Sequence, residues 1–292
     1  MLSKDFLIGA VIGGTAVAAL GLIFRRSKSV ERKCRRPRFA RSGIDGGPRI
    51  CLDGKRRVCV AASGSVAAVK IGEIVSRLVK HGLYVDLVLT RSAAHFQSVA
   101  YPSRVTGDTY GWDTIERLEQ LCDDVGTPRL QVWRDDDEWA GYNSLSDPVV
   151  HIMLAKRNHV LAVVPLCANT LSTLVNGGAN TLLSELVRAW YYSLEPSFVD
   201  LIAANFGRSA LCKPFLVAPA MNTYMWYQQV TKEAVSVLMR RGVTIIEPTV
   251  KKLACGDTGK GALASVDDVV REITNALSRH MKSRQERPVC MP

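Results

Sequence analysis

The chain has 292 residues, of which 47% are hydrophobic and 22% charged, proportions that allow a globular domain with a substantial core. Its net charge of +11 is concentrated between Arg25 and Arg57, where 13 Lys/Arg stand against 3 Asp/Glu; Lys4 and Asp5 cancel, so the rest of the chain is left at +1. That distribution excludes nucleic acid as the partner of the main domain. Eight cysteines (34, 51, 59, 122, 167, 212, 255 and 290) without a CxxC pair argue against zinc, any other metal centre or a disulfide framework, and for a reducing compartment.

In chain order, the first feature is Phe6–Phe24, 19 residues without a charge. As a helix it is just long enough to cross the hydrocarbon core of a bilayer. Arg25, Arg26, Lys28, Arg32, Lys33, Arg35 and Arg36 follow it, a bias that places the main domain on the cytosolic side. An Arg-rich, acid-poor N-terminus also fits a mitochondrial association. The expected organisation is an N-terminal membrane anchor over 1–24, a basic flexible linker over 25–57, one domain over 58–280 and a short C-terminal tail over 281–292.

From Val58 short apolar runs alternate with helical stretches. Val58–Ala62, Tyr84–Thr90, His159–Pro165, Pro214–Pro219 and Val243–Glu247 read as strands. Ser65–Lys80, Asp147–Arg157, Leu171–Tyr191, Thr223–Arg241 and Val266–Arg279 read as helices. This alternation predicts an α/β fold, a Rossmann-like parallel sheet with helices on both faces. Ligands of such sheets lie at the carboxyl ends of the strands. Two long polar stretches, Gln97–Ser146 with its DDDEW run (Asp135–Trp139) and Ser193–Lys213, read as insertions or covers.

The unusual residues cluster where the strands end. After the first strand comes Ala61-Ala62-Ser63-Gly64-Ser65-Val66, in which Ser65 serves equally as an ordinary helix N-cap or as a phosphate ligand. The second strand ends in Thr90-Arg91-Ser92. With no GxGxxG present, these hydroxyl-bearing ends favour a mononucleotide over a dinucleotide. Further on stand Cys167-Ala168-Asn169-Thr170, Pro219-Ala220-Met221-Asn222, and the Gly-rich run from Lys252 to Ala264 around Cys255. His151 by itself, in the apolar run VVHIML, reads as a packed histidine, and Asn222 by itself as a helix cap.

Taken together and in order, GSVAA, TxxAxxF, DPVVHI, P-x-x-ANT, PAMNTxMW and LACGDxGxGAxA make a region of about 220 residues that resembles the homo-oligomeric flavin-containing cysteine decarboxylases. The resemblance implies an FMN-dependent carboxy-lyase that converts 4′-phosphopantothenoylcysteine to 4′-phosphopantetheine, a step of coenzyme A synthesis, as a homotrimer. It implies that Gly64, Ser65, Val66, Thr90, Arg91, Ser92, Cys167, Ala168, Asn169, Thr170 and Ala220 bind FMN. His151 would be the base and Cys255 the proton donor. Asn222, Met221, Lys252, Leu253 and Ala254 would contact the substrate. These roles are chemically coherent, because a cysteinyl carboxylate cannot lose CO2 without an electron sink, and prior oxidation to a thioaldehyde provides one. A neutral amide at Asn222 also avoids clamping a carboxylate whose charge must leave.

The chain departs from that pattern at Cys167, where Ser is usual, at Asn180-Thr181, where Asp-Asn is common, and at Lys260 in the Gly-rich run. The alternative implied by the same resemblance is a regulatory subunit that binds a phosphatase or contributes part of a shared site.

Overall fold

The computed structural model describes residues 54–103, 105–140, 142–145, 147–199, 212–252 and 258–285. Its strands are β1 (Arg57–Ala62), β2 (Tyr84–Leu89), β3 (Tyr101–Pro102), β4 (Thr109–Tyr110), β5 (Leu130–Arg134), β6 (Val160–Leu166), β7 (Phe215–Pro219), β8 (Thr244–Ile245), β9 (Thr249–Lys252) and β10 (Thr258–Ala262). Six of them form one sheet in the order β5-β2-β1-β6-β7-β8. Every pairing in it is parallel. β3 with β4 and β9 with β10 form separate two-stranded antiparallel units.

The central strands are buried on both faces, which is why β2 and β6 read as continuous apolar runs rather than alternating ones. On one face the helices Ile71–Lys80, Trp112–Glu119 and Val266–Gln285 pack Ile71, Ile74, Leu78, Ile115, Val269 and Ile273 onto Val58, Val60, Leu87 and Val164. On the other face lie the helices Val150–Arg157, Ala168–Val175, Leu182–Ala189 and Gln229–Arg240.

That second face holds a buried polar cluster. Asp86 on β2 accepts from Trp133 Nε1 at 2.9 Å, Asn158 Nδ2 at 2.8 Å and Arg157 Nε at 2.8 Å, and Arg157 makes a second contact through Nη2. Burial by itself would raise the Asp86 carboxyl, but Arg157 and the other donors outweigh it and hold it below the usual carboxylate range. Lys213 donates to the carbonyls of Ala155 and Asn158, both at 2.6 Å, and so satisfies the C-terminal end of the helix Val150–Arg157.

Several elements differ from the sequence expectation. The stretch after Gln97 is no simple insertion, because it delivers β5 to the sheet edge. The expected helix Leu171–Tyr191 is two helices. Gly177, at φ +73°, ends the first, and Thr181 caps the second through a reciprocal pair with Ser184. Thr223–Arg241 is likewise broken, at Gln228 in extended backbone. The segment Ser65–Lys80 opens as a 3-10 turn, Val66–Lys70, before it becomes α-helical.

The membrane expectation is corrected. Among the described residues no helix is long and apolar enough to cross a membrane. The 20-residue helix Val266–Gln285 has the length, but Asp267, Asp268, Arg271 and Glu272 give it a charged face. The segment Phe6–Phe24 lies outside the described residues. The placement as a membrane-anchored protein with a cytosolic catalytic domain, or at mitochondria, is therefore withdrawn.

Candidate active site

The chain leaves β1 toward β2 on one side and later places β6 on the other, so the order of strands reverses at the carboxyl end of β1. A parallel sheet opens a crevice at such a point. Hydrogen bonds tie the surrounding loops together. Ser63, fully buried, donates through Oγ to the Pro165 carbonyl at 2.8 Å and accepts the Cys167 N–H at 2.8 Å. The Pro165 carbonyl is available because the β6–β7 register shifts between Val163 and Leu166, around a residue without an N–H.

Thr90 links the neighbouring pair of strands. Its hydroxyl donates to the Ala62 carbonyl at 3.2 Å and accepts from the Ala93 N–H at 3.3 Å. Gly64 and Ser92 meet so closely that a Cβ on Gly64 would lie 2.6 Å from Ser92 Cβ. Ser65 Oγ caps the Ala67 N–H, Val66 is exposed, and Arg91 and Ser92 face outward. Cys167 opens the helix Ala168–Val175 and its thiol reaches Thr170 Oγ1 at 3.4 Å, while Asn169 is exposed. Ala220 is buried beside β6, its N–H bonded to the Leu166 carbonyl.

These four strand ends therefore converge, and their donor set is instructive. It offers hydroxyls, two amides, one guanidinium and backbone N–H groups, with no carboxylate among Gly64–Val66, Thr90–Ser92, Cys167–Thr170 and Ala220–Asn222. A phosphate-bearing ligand with an uncharged ring system fits such a set.

Asn222 begins the helix Thr223–Tyr227, and its Oδ1 accepts the Tyr224 N–H at 2.8 Å. With that oxygen engaged, the donor a carboxylate requires is the NH2 group of the same amide. The β9–β10 hairpin is pressed against this segment. Met221 donates its N–H to the Gly261 carbonyl at 2.9 Å. A Cβ on Gly261, which has φ +143°, would lie 2.5 Å from the Met221 carbonyl oxygen. Lys252 pairs with Thr258 at the end of the hairpin; Leu253, Ala254 and Cys255 lie outside the described residues. Burial and the nearby Lys251 of β9 both lower the pKa of Lys70, with Glu73 opposing.

His151 stands apart from these loops, at the start of the helix Val150–Arg157. Its Nδ1 is 2.7 Å from Glu138 Oε1 and 3.7 Å from Glu185 Oε2, and its backbone N–H donates to Glu138 Oε2 at 3.2 Å. Glu138 follows β5 directly, in the short helix Asp137–Ala140. The cluster thus belongs to the β5 side of the sheet and Asn222 to β7. From β5 to β7 is four strand spacings, about 19 Å at roughly 4.8 Å each. His151 and Asn222 therefore lie toward opposite edges of the sheet.

Ser63, Glu138 and Glu185 belong to none of the sequence motifs that point to the site residues. The DDDEW run was the one available sign for Glu138. Glu185 is 24% exposed, and its carboxyl is raised by burial and by Glu138, with His151 opposing. Cys59 is inert by position, fully buried with its thiol pushed well up by that burial and by Asp86.

A parallel sheet with a donor-rich crevice at its switch point defines a nucleotide-binding α/β protein. Residues 51–278 match the Flavoprotein family, and the chain belongs to that family. It is 36% identical over 211 residues to phosphopantothenoylcysteine decarboxylase of Arabidopsis thaliana, covering 72% of this chain and 79% of the relative. The mouse (Mus musculus) protein of the same name is 35% identical over 232 residues, 79% of this chain and 92% of the relative. Among solved structures, a PPC decarboxylase mutant complexed with pantothenoylaminoethenethiol is similar with a TM-score of 0.56 and 32% identity, covering 76% of this chain and 97% of that one. The FMN binding protein AtHal3 gives a TM-score of 0.53 and 32% identity over 80% of this chain and 99% of that one.

Proposed function

We propose that this protein is an FMN-dependent decarboxylase of 4′-phosphopantothenoylcysteine, producing 4′-phosphopantetheine for coenzyme A synthesis. The observation that carries the reading is the convergence of four carboxylate-free strand ends on one crevice, in a chain of the Flavoprotein family whose relatives bear that activity in their names.

Gly64, Ser65, Val66, Thr90, Arg91, Ser92, Cys167, Ala168, Asn169, Thr170 and Ala220 would hold FMN. When bound there, FMN supplies a reversible two-electron exchange, which lets a cysteinyl carbon shed CO2 without forming a bare carbanion. His151 takes a proton from the cysteinyl side chain. Asn222 holds the carboxylate through its NH2 group, with Met221 and Lys252–Ala254 alongside, and Cys255 returns the last proton. The ethenethiol bound to the similar PPC decarboxylase mutant supports this order, since an ethenethiol is what remains once CO2 has left and before the final reduction.

The separation of His151 from Asn222 supports assembly of the site between copies, with His151 of one chain serving the crevice of the next, as in a homotrimer. A purely regulatory role is disfavoured because His151, Asn222 and Cys255 are all present. The test is to incubate the purified full chain, loaded with FMN, with phosphopantothenoylcysteine and to measure CO2 and phosphopantetheine. Formation of both is expected. Formation of neither by flavin-replete protein overturns the proposal.

A further inference from the structure

The DDDEW run has no part in the chemistry described so far, yet it carries the most deeply buried acidic side chain near His151. Glu138 is 4% exposed. A carboxylate removed from water is costly unless donors satisfy it, and here both oxygens meet donors of a single residue. Oε2 accepts the backbone N–H of His151 at 3.2 Å, and Oε1 lies 2.7 Å from its Nδ1.

We infer that Glu138 is a positioning residue for His151, receiving Nδ1–H and thereby presenting an unprotonated Nε2 as the atom that takes the substrate proton. The inference rests on the reading of His151 as the base. A carboxylate only accepts, so a hydrogen bond to it at Nδ1 places the ring proton there. In a neutral imidazole the other nitrogen is then the acceptor. The second contact, to the backbone N–H, fixes the direction of approach, because both oxygens are held by one helical residue. A Gln side chain has one acceptor where Glu has two, and cannot reproduce both bonds.

Glu185 does not share the role equally. At 3.7 Å from Nδ1 it lies beyond hydrogen-bonding distance. A cation held among the three side chains is the competing account, since their ligand atoms lie within 4.8 Å of one another. The 2.7 Å separation of Nδ1 and Oε1 is the length of a charge-assisted hydrogen bond, with the two atoms facing each other directly.

Two measurements test this. The first is 15N NMR of the histidine-labelled, FMN-loaded full chain, with the His151 signals identified by their loss in His151→Asn. Protonated Nδ1 with unprotonated Nε2 is expected, and the opposite tautomer overturns the inference whatever any variant does. The second is kinetic. Glu138→Gln should lower kcat at least about tenfold and by no more than the roughly 10²–10⁴-fold that a general base contributes. KM should change by less than about threefold, since no substrate contact is lost. In a His151→Asn background the same change should cost nothing more. Equal losses in both backgrounds would mark Glu138 as merely structural, and an unchanged kcat would dismiss it. Full activity of His151→Asn alone would instead remove the base reading itself, so the two failures are distinguishable.

Discussion

Ser63 and Cys167, 104 positions apart in the chain, are joined by one hydroxyl, which accepts the Cys167 N–H at 2.8 Å while donating to the Pro165 carbonyl at 2.8 Å. That hydroxyl closes the sheet's switch point from beneath. Ser63→Ala leaves the Cys167 N–H without this acceptor, at a cost of about 1–3 kcal/mol. Urea unfolding should register the loss, and FMN titration should show weaker binding, because the start of the helix Ala168–Val175 loses one of its ties to the end of β1. Equal stability and equal FMN affinity would contradict this account of the loop.

Gly64 has no room for a side chain. An added Cβ would lie 2.6 Å from Ser92 Cβ and 3.0 Å from Ser92 Oγ. Gly64→Ala should force the two loops apart and destabilise the domain by about 1–3 kcal/mol. The purified variant should carry markedly less flavin per chain, as read from its absorbance. Pairing it with Ser92→Gly, which removes the obstructing atoms, should restore part of the flavin.

His151→Asn should abolish substrate oxidation, with a loss of about 10²- to 10⁴-fold, while the spectrum of the bound flavin stays nearly unchanged. The histidine makes its contacts with Glu138 and Glu185, not with the residues proposed to hold the cofactor. Mixing this variant with an Asn222 variant provides a sharper assay. If sites form between copies, hybrid assemblies should regain activity that neither variant has alone.

Asp86 gives the fold a pH dependence. Its carboxyl is held below the usual range, so it stabilises the folded chain above its unfolded value of about 3.9 and loses that contribution as pH falls toward the folded value. Asp86→Asn removes the carboxylate that faces Arg157 Nε and Nη2 and should cost about 3–5 kcal/mol at neutral pH. The difference from the unaltered chain should shrink steadily below about pH 4. Denaturant midpoints across a pH series would reveal this convergence, and a constant gap would exclude it.

Cys255→Ser tests the order of the proposed steps. If the thiol supplies only the last proton, the variant should release CO2 once and accumulate a product two hydrogens lighter than phosphopantetheine, since a serine hydroxyl is far less acidic than a thiol. Mass spectrometry of the quenched reaction separates this outcome from normal turnover, which would make Cys255 dispensable. Absence of CO2 would mean that it acts earlier.

The strands legible in the sequence are those buried on both faces, such as Val58–Ala62 and His159–Pro165, because a short, unbroken apolar run bounded by turn residues suits the interior of a parallel sheet. β5 escaped because only Leu130 and Trp133 of LQVWR are fully buried, as suits an edge strand set within a polar stretch. The strand-end motifs were legible because a turn, a cap and a ligand loop use the same small hydroxyl residues. Glu138 was not, because its relation to His151 arises when two helices pack across 13 residues of chain, and no local pattern records it. The break at Gly177 was missed because the apolar residues on either side keep a helical spacing through it.

The helix that carries His151 is fastened at its far end. Arg157 and Asn158 bind Asp86, and Lys213 holds the last carbonyls. From Arg157 to His151 is six residues, about 9 Å of helix, so a tilt of roughly 6° at the fastening swings the histidine by about 1 Å. A displacement of that size can cost on the order of 10²-fold in rate. The buried cluster therefore works as the fulcrum of a lever. Substitutions at Asp86, Trp133 or Lys213 that leave the domain folded should still misaim the imidazole, and a screen for slow but stable variants should find them in the core, remote from any substrate.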